Sequence, residues 1–325
     1  MEIKDNNMDF NTAKICVAGI GGIGGMLAGM LGRKYDKNLS LIAHGEHLRK
    51  LKHQGVILHS DFYGDSVTHP AVVTEHGEEI GVQDFIFVCV KNYSLEELAG
   101  QLRPAVGPDT VLIPVMNGVE PGDHLRKLFP EAIVVDALIY TISAAEPDGS
   151  TKQSGKYTHI FLGSKEQDAR HVDASKQAYA LLKSCGFDAR YTEDIESEIW
   201  QKYILNCGFN TITARYLICS GDIRKNTKYQ EDLHAILREA NAVGLALHVH
   251  LPEGLADTKF HFVMTAQQDT ATSSMRRDVE AHRRTELDAF LGALIRKGKE
   301  TGVPTPVAAR YYAELSEIID GYLKK

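Results

Sequence analysis

Up to about residue 193 the apolar positions fall in short unbroken runs separated by longer stretches of helical spacing. The runs are KICVAGI (14–20), LSLIA (39–43), DFIFVCV (84–90), TVLIPVM (110–116) and AIVVDALIYTI (132–142). Each has the length and β-branched content of a buried strand. Helical patterns follow at Gly24 to about Arg33, Leu95–Val106 and Val119–Phe129. Fully apolar strands alternating with helices predict a parallel sheet covered on both faces. Residues 56–75 alternate less clearly and carry Gly64 and Pro70, which predicts a hairpin or an irregular crossover. Residues 147–164 read as antiparallel at the sheet edge, and a helix at 174–185 with a strand at 187–191 completes this part. From Ile195 onward the pattern is helical only, at 195–216, 229–248, 255–268, 276–301 and 305–322. The change of period predicts two domains, 1–193 and 194–325.

The first strand runs into Gly19-Ile20-Gly21-Gly22-Ile23-Gly24. A GxGxxG run is a weak signal by itself. Here a strand precedes it, a helix follows, and a second strand ends near 20 residues later, which is the context of a dinucleotide-binding turn. Gly19 permits the tight turn, Gly21 admits the pyrophosphate to the backbone, and Gly24 lets the helix pack on the strand. The helix N-terminus then offers N–H groups to the phosphates. The expected fold is therefore α/β, a Rossmann-type doubly wound sheet followed by an all-α C-terminal domain. Cofactor choice is read after the second strand, where Ala43-His44-Gly45-Glu46-His47 precede Arg49 and Lys50. With no acid at the strand end and His44 able to donate to a phosphate, the segment favours NADP.

Composition narrows the partners. The 325 residues are 43% hydrophobic and 24% charged, with a net charge of -7. That balance and the absence of a basic face argue against nucleic acid. Five cysteines form no CxxC pair, so neither a zinc site nor a disulfide framework is expected, and reduced thiols suit a cytoplasmic protein. MEIKDNNMDFNTAK lacks the apolar core of a leader peptide. Ile15–Gly32 is 18 residues without a charge, but seven are glycine, which suits a strand–turn–helix better than a membrane span.

Polar residues then stand out against this apolar pattern. In WQKYILNCGFNTITA (200–214), Lys202, Asn206 and Asn210 recur at every fourth position and share one stripe of a helix. A solvated face is the bland reading. A cleft lined by this stripe would reconcile it with the apolar neighbours, since buried ammonium and amide groups require partners. In TSSMRRDVEAHRRTELDAF (272–290), Ser273 or Ser274 suits a helix N-cap, and Asp278, His282 and Glu286 follow at i, i+4 and i+8. Lys91 and Asn117 sit at the C-terminal ends of strands, where a doubly wound sheet binds its cofactor, with helix capping the bland reading for Asn117.

Taken in order, GIGGIG (19–24), VKNYS (90–94), PVMNGVE (114–120), WQKYILNCGFNTITA (200–214) and SSMRRDVEAHRRTELD (273–288) run over almost the whole chain. In this the sequence resembles the ketopantoate reductases (2-dehydropantoate 2-reductases). The resemblance implies an NADPH-dependent reduction of a small 2-oxo acid in pantothenate biosynthesis. It implies Lys202 as the catalytic lysine and Asn206, Asn210 and Ser274 as substrate contacts. Glu286 matches a glutamate beside the catalytic lysine and cofactor, while Lys91 and Asn117 match the nicotinamide side, Asn117 also reaching the substrate. The chain departs from the family at His44, where many members have Arg, at Ser220, where some have Asn, and at Ala271, where others are polar.

Independently of the resemblance, an ammonium at a ketone oxygen would stabilise the charge created by hydride transfer and then supply the proton. Lys202 is useful in that role only if desolvation lowers its pKa, with Glu286 opposing the shift. No metal is needed. Two other readings stay open: a reductase of another branched 2-oxo acid, and a non-catalytic NADP-binding sensor. The helices expected at 276–301 and 305–322 are candidates to pair two copies in a homodimer.

Overall fold

The computed structural model describes residues 10–324. Residues 1–9, most of the polar N-terminal stretch, and Lys325 lie outside the described residues. The chain divides into two units, Met1–Asn117 with Pro121–Ile195, and Gly118–Glu120 with Glu196–Lys325.

In the first unit the chain runs β1 (Ile15–Ala18), α1 (Gly22–Tyr35), β2 (Leu39–Ile42), α2 (Gly45–Gln54), β3 (Val56–Ser60), β4 (Ser66–Thr68) and β5 (Val72–Thr74). It continues through β6 (Phe85–Val88), α3 (Leu95–Leu102), β7 (Val111–Pro114), α4 (Pro121–Leu128) and β8 (Ile133–Val134). Last come β9 (Asp136–Ala145), β10 (Thr151–Gly163), α5 (Ala169–Ser184) and β11 (Ala189–Tyr191). Six strands form a wholly parallel sheet in the order β5-β2-β1-β6-β7-β8. Numbered within the sheet, that order is 3-2-1-4-5-6, the doubly wound arrangement whose direction reverses between β1 and β6.

The apolar runs are explained by what lies on each face. Successive strand side chains point to opposite sides. Ile15, Val17, Leu39, Leu41, Phe85 and Phe87 enter one core with Met26, Leu27 and Leu31 of α1 and Leu181 of α5. Cys16, Ala18, Ile42, Ile86 and Val88 enter the other with Leu95, Leu98 and Leu102 of α3 and Leu125 of α4. No face is left for water, so no polar alternation appears in the sequence.

A second sheet uses the segments that the pattern read least well. The order is β11-β10-β3-β4, with β9 antiparallel to β10. The hairpin expected in 56–75 is present as β3 and β4, while β5 leaves it for the parallel sheet. The single strand expected over 132–142 instead divides at Val135: β8 pairs with β7, and β9 belongs to the second sheet. At the transfer point the buried Asp136 is gripped by the Arg126 guanidinium, at 2.5 and 3.2 Å. β10 is correspondingly interior to its sheet, rather than the edge expected from 147–164.

The glycine excess of α1 belongs to this second sheet as well. Gly22, Gly25, Gly29 and Gly32 lie on one helical face. A Cβ on Gly29 would stand 2.9 Å from Leu58 Cβ of β3, and one on Gly32 would stand 2.6 Å from Thr68 Oγ1 of β4. On Gly22 and Gly25 it would meet Ser143 of β9 and Thr151 of β10. Four absent side chains thus allow backbone-close packing of helix on sheet.

The second unit is helical: α6 (Ile195–Tyr216), whose first residue groups with the first unit, then α7 (Ser220–Ile223), α8 (Thr227–Ala246) and α9 (Leu255–Thr265). After these come α10 (Ser274–Glu280), α11 (Ala293–Thr301) and α12 (Pro306–Leu323). The single helix expected over 276–301 is broken. α10 stops at Glu280, His282 takes φ 52°, and a π-helical turn over Asp288–Gly292 leads into α11. Asp278, His282 and Glu286 therefore share no helical face. The break is held by tertiary contacts: the Arg283 N–H donates to the Asp278 carbonyl at 2.8 Å, and the His282 ring stacks on Tyr322 of α12. The Tyr322 hydroxyl also donates to the Arg283 carbonyl at 2.8 Å. No helix among the described residues is long and apolar enough to cross a membrane.

Candidate functional site

In the first unit the glycine turn leaves the carboxyl end of β1. Gly19 has φ 89°, and a Cβ there would strike Val90 just after β6. Gly24 would strike the Gly19 carbonyl, whereas a Cβ on Gly21 would meet nothing within 4 Å. Two glycines are thus demanded by protein contacts and one faces open space, as a phosphate approach requires. Gly21 caps α1, and the Gly25 N–H donates to the Gly21 carbonyl at 2.7 Å, so Gly22, Ile23 and Gly24 present the first-turn N–H groups. These residues fit a dinucleotide pyrophosphate. His47 of α2 adds to the rim: burial lowers its pKa with the Ile20 backbone acting the other way, and its buried Nε2 has no partner among the described residues.

Lys91 and Asn117 follow the neighbouring strands β6 and β7, on the other side of the point where strand order reverses. Asn92 Nδ2 donates to the Asn117 carbonyl at 2.9 Å and ties the two loops together. Since α4 begins only at Pro121, Asn117 stands too far ahead to be its N-cap. At the same end of the sheet but on the β2 side of that point, exposed His44 precedes α2 without capping it by its side chain. Glu75, carried by β5, accepts the Gly45 N–H at 2.8 Å. Residues 43–50 gave no hint of this acid. Its signal was the short β-branched run Val72–Thr74, which joins the sheet beside β2.

In the second unit α6 is one unbroken helix, so Lys202, Asn206 and Asn210 do form a stripe. Lys202 is partly buried, and desolvation pulls its pKa from the ordinary 10.5 to about 8, with the Glu286 carboxylate favouring the charged form. Glu286 is 4% exposed and follows the break after α10. It is positioned by what comes next: Phe290 N–H donates to the Glu286 carbonyl at 3.2 Å, and the buried Tyr203 hydroxyl of α6 donates to the Phe290 carbonyl at 2.6 Å. Tyr203, adjacent to Lys202, thereby anchors the segment that carries the carboxylate.

Asn210 is also 4% exposed and donates to the Asn206 carbonyl at 3.1 Å. Of the serine pair, Ser273 is the N-cap, accepting the Arg276 N–H at 3.0 Å and pairing with Thr213 of α6 at 2.8 Å. Ser274 is left as the first residue of α10, with capping already assigned to its neighbour. Ser220 spends its polar groups on structure: its N–H donates to the Ala271 carbonyl and its hydroxyl to the Gln268 carbonyl. The two substitutions noted in the sequence, Ser220 and Ala271, are therefore partners of each other.

Residues 15–167 match the family model described as Ketopantoate reductase PanE/ApbA, and residues 194–318 match its C-terminal counterpart. The chain belongs to the ketopantoate reductase family. A 2-dehydropantoate 2-reductase of Mesorhizobium japonicum is 28% identical over 318 residues, covering 90% of this chain and 94% of its own. An uncharacterized oxidoreductase, YkpB of Bacillus subtilis, is 26% identical over 303 residues, covering 93% and 97%. Among solved structures, a PanE/ApbA family ketopantoate reductase from Ralstonia eutropha superposes with a TM-score of 0.85 at 22% identity, covering 95% of this chain and 99% of that one. A D-mandelate dehydrogenase in ternary complex with NADH and anilino(oxo)acetate gives the same TM-score and identity, covering 95% and 98%. The ketopantoate reductase fold thus accounts for both units, and the family is one of oxidoreductases that use nicotinamide dinucleotides.

Proposed function

We propose that this protein reduces a 2-oxo acid, 2-dehydropantoate to pantoate foremost, as a cytoplasmic enzyme of pantothenate biosynthesis. The observation that carries this reading is Lys202, with its pKa drawn down to about 8 and the buried Glu286 acting on it. Bound at the glycine turn, a reduced nicotinamide supplies the hydride. The developing alkoxide then needs a positive donor. An ammonium with a pKa near working pH both stabilises that charge and releases its proton readily. Glu286 keeps Lys202 protonated against desolvation. Ser274, with Asn206 or Asn210, holds the substrate's carboxylate and hydroxyl, and Lys91 and Asn117 line the nicotinamide side. The kinship with enzymes named 2-dehydropantoate 2-reductase supports the substrate.

A second reading is reduction of another branched or aryl 2-oxo acid. Ser220, with its hydroxyl spent on Gln268, favours it by removing a substrate donor, and the likeness to a D-mandelate dehydrogenase is compatible with it. Absorbance decay at 340 nm over a panel of 2-oxo acids tests both. Fastest turnover of 2-dehydropantoate supports the first reading, and another substrate turned over faster supports the second. No decay with any of them would leave only the dinucleotide-binding sensor.

A further inference from the structure

The edge of the parallel sheet that reads the adenosine ribose carries a charge that the β2 segment lacks. β2 and β5 are parallel, with Ile42 opposite Thr74, and the Ala43 N–H donates to the Thr74 carbonyl at 3.0 Å. The residues that follow the two strands therefore emerge side by side. There Glu75 Oε1 accepts the N–H of Gly45, the first residue of α2, at 2.8 Å. In doubly wound folds an acid at the end of the second strand accepts the ribose 2′-hydroxyl, and a cation there instead takes the 2′-phosphate of NADP. Glu75 comes from the neighbouring strand but reaches the same strand end.

The basic residues nearby are poorly placed to overrule the carboxylate. Lys50 is paired with Glu46 at 2.9 Å and donates to the Pro147 carbonyl at 2.9 Å. His44 and Arg49 are exposed, where their attraction for an anion is weakened by solvent. Glu75 also occupies the Gly45 N–H that an anion at the start of α2 would use. A carboxylate accepts at both oxygens, so capacity remains for a ribose hydroxyl. A 2′-phosphate would meet it as a like charge.

We propose that Glu75, delivered by the strand beside β2, is a specificity-determining residue that makes NADH the preferred cofactor. The inference rests on the reading that the glycine turn binds a nicotinamide dinucleotide, and it departs from the NADPH preference inferred from residues 43–50.

Isothermal titration of the full chain with NADH and with NADPH, without substrate, tests it. NADH should bind about tenfold or more tightly than NADPH, with the ratio shrinking at high salt. Glu75→Gln keeps an oxygen for the Gly45 N–H and should bring the two affinities together, weakening NADH and tightening NADPH. Tighter or equal NADPH binding by the wild type overturns the proposal and leaves the reading of the turn standing. A folded Glu75→Gln with the wild-type ratio removes Glu75 as the cause. Binding of neither dinucleotide overturns the reading of the turn, and the proposal with it. Should Glu75→Gln not fold, Glu75→Ser, which also keeps an oxygen acceptor without the charge, takes its place with the same two outcomes.

Discussion

At Lys202 two opposing effects set the chemistry. Burial disfavours the ammonium and Glu286 favours it, and burial wins, leaving a pKa of about 8. The acid form is present below that value, so reductive kcat should fall as pH rises through about 8. Glu286→Gln removes the opposing effect, and the same limb should then move to lower pH, read from kcat–pH profiles of both proteins. Lys202→Ala should lose about 10²–10⁴-fold in kcat, the size of a general acid, by stopped-flow oxidation of the reduced cofactor. Retention of most of the turnover would remove Lys202 from that role. The stripe of Lys202, Asn206 and Asn210 was legible because every-fourth spacing within one continuous helix fixes it without any distant contact. The identity of the serine that caps α10 was not, since Ser273 and Ser274 are chemically identical and only the Thr213 contact separates them.

Elements supply their own tests. Ser273→Ala loses an N-cap and leaves the buried Thr213 hydroxyl without that partner, a cost of about 1–2 kcal/mol in urea unfolding. Ser274→Ala should leave stability unchanged and raise KM, and the opposite pattern would exchange their roles. Along α1, Gly25→Ala forces a Cβ onto Thr151 and should lower Tm, overpacking costing about 1–3 kcal/mol. Gly100→Ala in α3, where a Cβ meets nothing within 4 Å, should instead raise Tm slightly through helix propensity. Equal behaviour of the two would show that the glycine face of α1 is not tightly packed. β1, β2, β6 and β7 of the parallel sheet were readable from unbroken apolar runs, whereas the three-residue β5 and the polar helix α2 were not. The end of α10 was not, because no Gly or Pro marks it and His282 is turned by contacts with Tyr322, far along the chain.

For the whole molecule, a dinucleotide that binds only the folded chain must raise its stability. At 100 times Kd the gain is about 2.7 kcal/mol, so Tm should rise on adding NADH or NADPH, with the larger rise marking the preferred cofactor. No shift with either, followed by differential scanning fluorimetry, would count against the glycine turn as a binding site.

What the sequence determined by itself is local: strand runs, the glycine turn with its flanking elements, and the polar stripe of α6. Each is set by the period of a single element and by the conformations its residues allow. What only the tertiary structure decided is pairing at a distance. The division of 132–142 between two sheets, the break after α10 that frees Glu286 from a helical register, and the arrival of Glu75 beside Gly45 all depend on residues that sequence spacing keeps apart. Such contacts are chosen by the packing of whole elements, and no single-segment pattern encodes them.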